Sequence, residues 1–200
     1  MSNTGLIAIL RGVTPDEVVA VGEALVDAGV DAIEVPLNSP DPFTSVERLA
    51  ASLGDRCVIG AGTVLTATDV ARTRDAGGQI VVAPNCDTEV IAATVDAGLR
   101  PYPGVATPTE AFAAVKARSR HLKLFPADAI GIAGMKAWQA VLPPDVELLP
   151  VGGIDETNLA AWAAAGAGGA GLGSALYRPG DSPAEVGARA RAMRRAWAGG

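Results

Sequence analysis

Basic residues, histidine and cysteine are all scarce in this chain, and each shortage removes a class of function. Sixteen Lys and Arg face 22 Asp and Glu, giving a net charge of −6 and an isoelectric point near 4.8. Such a surface repels polyanions, which argues against non-specific nucleic-acid binding and against docking on anionic membranes. A single histidine, His121, leaves no multi-histidine metal centre. Two cysteines, Cys57 and Cys86, cannot build a disulfide framework or a four-sulfur metal site. The first ten residues hold no Lys or Arg, and the apolar run Leu6–Leu10 is too short for a secretory signal core. One long uncharged stretch exists, Leu159–Leu176, at nominal bilayer-spanning length. Gly166, Gly168, Gly169, Gly171 and Gly173 interrupt it, so a helix turning into a buried strand accounts for it better. The expectation is a soluble, cytoplasmic protein without a metal or a cofactor.

What the chain does have is apolar bulk: 49% of its 200 residues are hydrophobic and 19% charged, a globular balance. That length suits one domain over residues 1–200. Short apolar runs recur along it: Leu6–Arg11, Ala32–Leu37, Val58–Thr63, Gln79–Pro84, Arg100–Val105, His121–Pro126, Glu147–Gly153 and Gly169–Ser174. Successive starts lie 26, 26, 21, 21, 21, 26 and 22 residues apart. Each gap holds one segment with apolar spacing near the helical period. Thr14-Pro15-Asp16-Glu17, Thr107-Pro108-Thr109-Glu110 and Ser182-Pro183-Ala184-Glu185 are capping boxes with proline at the first helical position. Gly29, Gly77 and Gly98, each after Asp-Ala, mark helix ends. Strand–helix alternation implies parallel strands joined by right-handed crossovers. Eight such units predict an α/β fold, a single (β/α)8 TIM barrel, with a doubly wound open sheet as the alternative. In such barrels chemistry sits at the C-terminal strand ends.

Those ends carry few ionisable groups. Of three lysines, only Lys123 falls inside a strand-like run, Leu122-Lys123-Leu124-Phe125-Pro126. Alternation puts Lys123 and Phe125 on one face. A desolvated lysine loses basicity and becomes a nucleophilic amine able to form an imine, unless a salt bridge satisfies it. Glu34 is the one carboxylate well inside any run. It is either an ion-pair partner for Lys123 or Arg11, or a general acid/base facing the lysine. Arg11 ends the first run, where a guanidinium can grip a carboxylate or phosphate, or simply face solvent. Gly152-Gly153 and Gly173-Ser174 end the last two runs. Bare N–H groups there can cradle phosphate, or the small residues can serve close packing. Pro84 ends the fourth run on the same rim. His121 opens its run at the opposite end and is assigned a structural place. Cys86 is assigned as an inert loop thiol, and Val186, Ala190, Met193 and Trp197 form an ordinary packing stripe on the last helix.

Five segments together resemble the 2-keto-3-deoxy-6-phosphogluconate/galactonate aldolase family over roughly residues 6–178. They are Ile7-Ala8-Ile9-Leu10-Arg11-Gly12, Glu34-Val35-Pro36-Leu37-Asn38-Ser39-Pro40, Gly60-Ala61-Gly62-Thr63-Val64-Leu65, Leu122-Lys123-Leu124-Phe125-Pro126-Ala127 and Val151-Gly152-Gly153. The resemblance implies an eight-stranded barrel, usually a homotrimer, and class I aldol cleavage of a phosphorylated keto-deoxy sugar acid without metal. It implies that Lys123 forms the imine and Glu34 shuttles protons. It also implies that Arg11 and Thr63 hold the pyruvyl carboxylate end, and that Gly152, Gly153, Gly173 and Ser174 receive phosphate. Two departures from the gluconate-type pattern resemble the galactonate branch. Leu37-Asn38-Ser39 replaces Leu-Arg-Thr after the acid, and Val151 stands where gluconate-type members often carry Thr. The alternatives are the gluconate C4 epimer, or both epimers, as substrate, and a non-catalytic barrel that binds phosphosugar acids.

Overall fold

Apolar runs bounded by Gly and Pro form short strands, and the amphipathic segments between them form helices. The structure, a computed structural model, describes residues 4–199; the ends of the expected 1–200 domain, residues 1–3 and 200, lie outside the described residues. The first half of the chain runs β1 (Gly5–Ile9), α1 (Val18–Asp27), β2 (Ala32–Pro36), α2 (Pro42–Leu53), β3 (Val58–Gly62), α3 (Ala67–Asp75), β4 (Ile80–Val82), α4 (Thr88–Asp96) and β5 (Arg100–Tyr102). The second half runs β6 (Gly104–Val105), α5 (Pro108–Lys116), β7 (His121–Leu124), α6 (Ala127–Gln139), β8 (Glu147–Pro150), α7 (Leu159–Ala164), β9 (Gly169–Leu172) and α8 (Pro183–Ala198).

Eight expected runs therefore give nine strands, because Arg100–Val105 divides at Pro103. A proline supplies no ladder N–H. On one side of the break the Tyr102 carbonyl accepts from Ala83 N–H at 3.1 Å, and on the other the Pro103 carbonyl accepts from Lys123 N–H at 2.9 Å. The chain thus passes from one sheet to the next at this point. Six strands pair in the order β5-β4-β3-β2-β1-β9, and three in the order β6-β7-β8. Every pairing is parallel. Between the sheets, Val151 bridges Gly171 in parallel, and Gly168 N–H donates to the Leu148 carbonyl at 3.0 Å. The stretch Leu159–Leu176 resolves into α7 and β9. Among the described residues no helix is long and apolar enough to cross a membrane.

Two of the three expected capping boxes and the three glycine stops form. Thr107 and Ser182 complete reciprocal capping boxes with Glu110 and Glu185. At Thr14 only half the box forms. Glu17 accepts the Thr14 N–H at 2.8 Å, but residues 15–17 make a turn and the regular helix begins at Val18. Gly29, Gly77 and Gly98 sit at φ of 82°, 82° and 77°, the left-handed geometry that ends a helix.

Strand parity decides which core a residue joins. Leu6, Ala8, Leu10, Ile33, Val35 and Ile59 are buried against the helices, together with Val186, Ala190 and Met193 of α8. Their neighbours Ile7, Ala32, Ile80, Val82, Tyr102 and Leu149 form a separate cluster on the inner face of the curled sheet. Gly60 and Gly62 hold the inner positions of β3. A Cβ on Gly60 would overlap the Ile80 carbonyl oxygen of the adjacent strand. Gly60→Ala is therefore expected to destabilise the protein by at least ~2 kcal/mol, since backbone must move to admit the methyl. Gly173→Ala is the control. Nothing lies within 4 Å of the added atom, so its stability should stay within about 0.5 kcal/mol of wild type. Urea midpoints for the two variants check this; equal stabilities would remove the close β3–β4 approach as a constraint.

Candidate active site

The C-terminal strand ends open into one cavity of about 530 Å³. Arg11, Thr63, Pro84, Lys123, Val151, Gly152, Gly153, Gly173 and Ser174 all line it, as expected from their strand-end positions. Glu34 lies one layer deeper. It borders a void of about 10 Å³ that it shares with Lys123, Tyr102, Leu149 and Val151, a space of roughly one water.

Parallel register places these groups. Glu34 sits between Ile9 and Gly60 in the sheet, and Lys123 between Gly104 and Leu149. Glycine on the neighbouring strand makes the carboxylate possible, because a Cβ on Gly62 would overlap Glu34 Oε2. The side chains are nearly sealed from water, with Glu34 2% and Lys123 7% exposed. Glu34 Oε2 has no hydrogen-bond partner among the described residues. Burial pushes the Glu34 carboxyl up to about 7, against the opposing pull of Lys123 and Arg11. Burial pulls the Lys123 amine below the usual lysine range; Glu34 opposes that shift and Arg11 adds to it. Its Nζ stands 4.6 Å from the centroid of the Phe125 ring. The salt bridge left open by the spacing does not close among the described residues. The pair is coupled through space while each partner leans toward its neutral form.

The rim is built from backbone exceptions. Thr63 takes φ of +56°, unusual for a β-branched residue and characteristic of functional sites. Gly152 and Gly153 follow each other at φ of 96° and 70°, and Asn158 Nδ2 donates to the Gly153 carbonyl at 2.6 Å. Backbone N–H groups of Gly152, Gly153, Gly173 and Ser174 find no acceptor among the described residues. Arg11 is exposed, and its Nη1 donates to Asn38 Oδ1 at 2.5 Å. Val151 presents its isopropyl group to the cavity, and Gly171 opposite leaves room for it.

His121 stands apart, at the opposite end of β7, with its ring centroid 4.9 Å from that of Tyr102. Cys86 lies against the Glu110 carbonyl at 3.3 Å, and burial pushes its thiol up, away from thiolate chemistry. Among the described residues no three His, Cys, Asp or Glu side chains group as a metal site. Two further charged residues line the cavity, Asp155 and Arg178. Periodicity could not place them, because both lie in loops. Counting a few residues past each glycine-rich strand end would have reached them.

The KDPG and KHG aldolase family matches residues 1–183 of this chain. The chain belongs to that family. Among curated members, a Rhizobium meliloti (strain 1021) protein named probable 2-dehydro-3-deoxy-6-phosphogalactonate aldolase is 50% identical over 185 residues, 92% of this chain and 87% of its own. The 2-dehydro-3-deoxy-6-phosphogalactonate aldolase of Escherichia coli (strain K12) is 47% identical over 192 residues, 96% of this chain and 94% of its own. A solved structure of KDPG aldolase from Legionella pneumophila, with pyruvate captured as a covalent carbinolamine intermediate, superposes at a TM-score of 0.83 and 26% identity. That superposition covers 98% of this chain and 94% of the Legionella one. In this family member, then, a carboxyl near 7 and a depressed lysine border one small buried void.

A stability signature follows for Glu34. Its folded value of about 7 lies above the ordinary 4.5, so between those pH values the native state binds more protons than the unfolded chain. Stability due to this group therefore falls as pH rises through that window. Glu34→Gln mimics the protonated form. It should stabilise the protein at pH 8 by on the order of 2–3 kcal/mol, with the gain fading toward pH 4. It should also cut turnover by about 10²–10⁴-fold if the carboxyl moves protons. Urea titrations at both pH values, paired with turnover at pH 8, check this; a gain that is the same at both would contradict the burial account.

Proposed function

We propose that this chain is a class I aldolase cleaving 2-dehydro-3-deoxy-6-phosphogalactonate to pyruvate and D-glyceraldehyde 3-phosphate through an imine on Lys123. One observation carries the reading: a lysine and a carboxyl, both buried and both pushed toward neutrality, border one small void at the base of a cavity that Arg11, Arg178 and the Gly152-Gly153 and Gly173-Ser174 backbone line. The two relatives named for that substrate support the choice of sugar acid. The carbinolamine in the Legionella neighbour supports the imine route.

The steps use only groups of this chain. Lys123 Nζ, as free amine, adds to the C2 ketone, and the carbinolamine loses water to give a cationic imine. Glu34 as carboxylate takes the C4 hydroxyl proton, the C3–C4 bond breaks, and its electron pair flows into the imine as an enamine. Glyceraldehyde 3-phosphate leaves. Glu34 supplies the proton to C3, and hydrolysis of the imine releases pyruvate. A carboxyl near 7 can donate and accept at neutral pH, as both directions require. Arg11 and Thr63 hold the carboxylate end, Pro84 bounds it, and Gly152, Gly153, Gly173 and Ser174 take the phosphate. Two anchored ends align the scissile bond over the lysine.

The finer architecture we assign is a single (β/α)8 barrel over residues 1–200, with β5 and β6 counted as one strand. The Val151–Gly171 bridge supports joining the two sheets into one wall. The family resemblance adds a homotrimer, and the acidic composition supports a cytoplasmic protein with neither nucleic acid nor membrane as a partner.

Substrate configuration turns on Val151, which offers no hydrogen bond. A C4 hydroxyl pointing at it in the closed site would lose roughly 1–3 kcal/mol, about 5- to 150-fold in rate. Cleavage of both C4 epimers, followed as pyruvate release with a chelator present, should favour the galactonate epimer. Val151→Thr should raise kcat/KM for the gluconate epimer more than for the galactonate epimer. A wild-type preference for the gluconate epimer would reassign the substrate, and an unmoved ratio in the variant would remove Val151 as its determinant.

A further inference from the structure

The phosphate cradle assigned above consists of neutral backbone N–H groups, yet its ligand is a dianion. Four charged side chains line the cavity: Arg11, Lys123, Asp155 and Arg178. Arg11 is tied to Asn38, and Lys123 is buried on the floor. Asp155 is turned inward on its own loop, accepting from Thr157 N–H at 2.8 Å and from Thr157 Oγ1 at 2.6 Å. Arg178 is different. Its Nε donates to the carbonyl of Ser174, a cradle residue, at 3.0 Å. Its backbone N–H donates to Asp181 Oδ2 at 2.8 Å, but the Asp181 carboxylate forms its ion pair with Arg189. Both Nη groups of Arg178 are left without an acceptor among the described residues. The next residue, Pro179, packs against Gly12, where any Cβ would overlap its ring, so the loop is pinned across the end of β1.

We infer that Arg178 is a specificity-determining residue that reads the charge of the substrate's phosphate beside the Gly152-Gly153 and Gly173-Ser174 cradle. This rests on the aldolase reading above. The Ser174 carbonyl orients the guanidinium through Nε, and the remaining N–H groups present a planar fork that phosphate oxygens accept bidentately. Anchoring on Ser174, itself a cradle residue, holds the cation beside the cradle, so neutral donors set the phosphate's position and Arg178 supplies its counter-charge. A sugar acid without the phosphate has nothing for that fork to bind.

The test compares 2-dehydro-3-deoxy-6-phosphogalactonate with its phosphate-free counterpart, 2-dehydro-3-deoxygalactonate. Wild type should prefer the phosphorylated substrate. Arg178→Gln should lower kcat/KM for it by about ten-fold or more, mainly through KM, the loss of roughly one charge-assisted hydrogen bond. Turnover of the phosphate-free substrate and borohydride trapping of pyruvate should stay at wild-type levels, which also shows that the variant is folded. Arg178→Lys should recover part of the preference, because it restores charge without the fork. Equal losses on both substrates, or an unchanged preference in Arg178→Gln, would overturn the inference. So would a wild type that traps pyruvate but ignores the phosphate. A wild type that neither traps pyruvate nor cleaves either substrate overturns the aldolase reading itself, and this inference with it.

Discussion

Two ionisable side chains share the dry interior of the curled sheet without closing an ion pair, and the surrounding structure is arranged around that constraint. Burying a charge is costly, and a contact pair would relieve part of that cost. Here Glu34 keeps an oxygen without a partner among the described residues and sits near 7, while Lys123 is held below its usual range. Each group lowers the cost of burying the other only through space. The result is an amine of lowered basicity and a carboxyl near neutrality, both bordering one chamber. Chemistry of this kind trades stability for reactivity, as perturbed groups in enzyme sites generally do.

Small residues make the chamber possible. Gly62 clears the volume that the Glu34 carboxylate fills, Gly60 lets β3 approach β4, and Gly171 makes way for Val151. Larger residues there would push the sheet apart or expel the ionisable groups. At the rim the same economy of side chains exposes backbone instead. Consecutive left-handed glycines at 152 and 153, the second held by Asn158, line the cavity with N–H groups that find no acceptor among the described residues. Thr63 is held in a left-handed conformation that a β-branched residue rarely adopts. Charges then sit at the edges, Arg11 beside Asn38 and Arg178 beside Ser174.

Much of this was legible from the residues. The recurring apolar runs located every strand, and strand-end logic placed nine of ten expected site residues in one cavity, with Glu34 directly beneath. Lys123 stood out because a lysine inside an apolar run has few physical reasons to be there. Other features were hidden for definite causes. The division at Pro103 depends on which neighbour each carbonyl serves, which periodicity does not encode. The Thr14 signal overstated a helix start because side-chain capping and helical backbone need not begin together. Arg178 and Asn158 lie in loops without a repeating face, so only the fold brings them to the rim. The positive φ of Thr63 runs against the preference of a β-branched residue, so its residue type does not announce it.

The most direct measurement is reductive trapping. Protein incubated with pyruvate and borohydride, digested and mapped by mass, should carry a single covalent adduct on Lys123. Lys123→Ala should remain folded, by circular dichroism and urea midpoint, and trap nothing. An adduct on Lys116 or Lys136, or undiminished trapping in Lys123→Ala, would contradict the assignment of the buried lysine as the nucleophile.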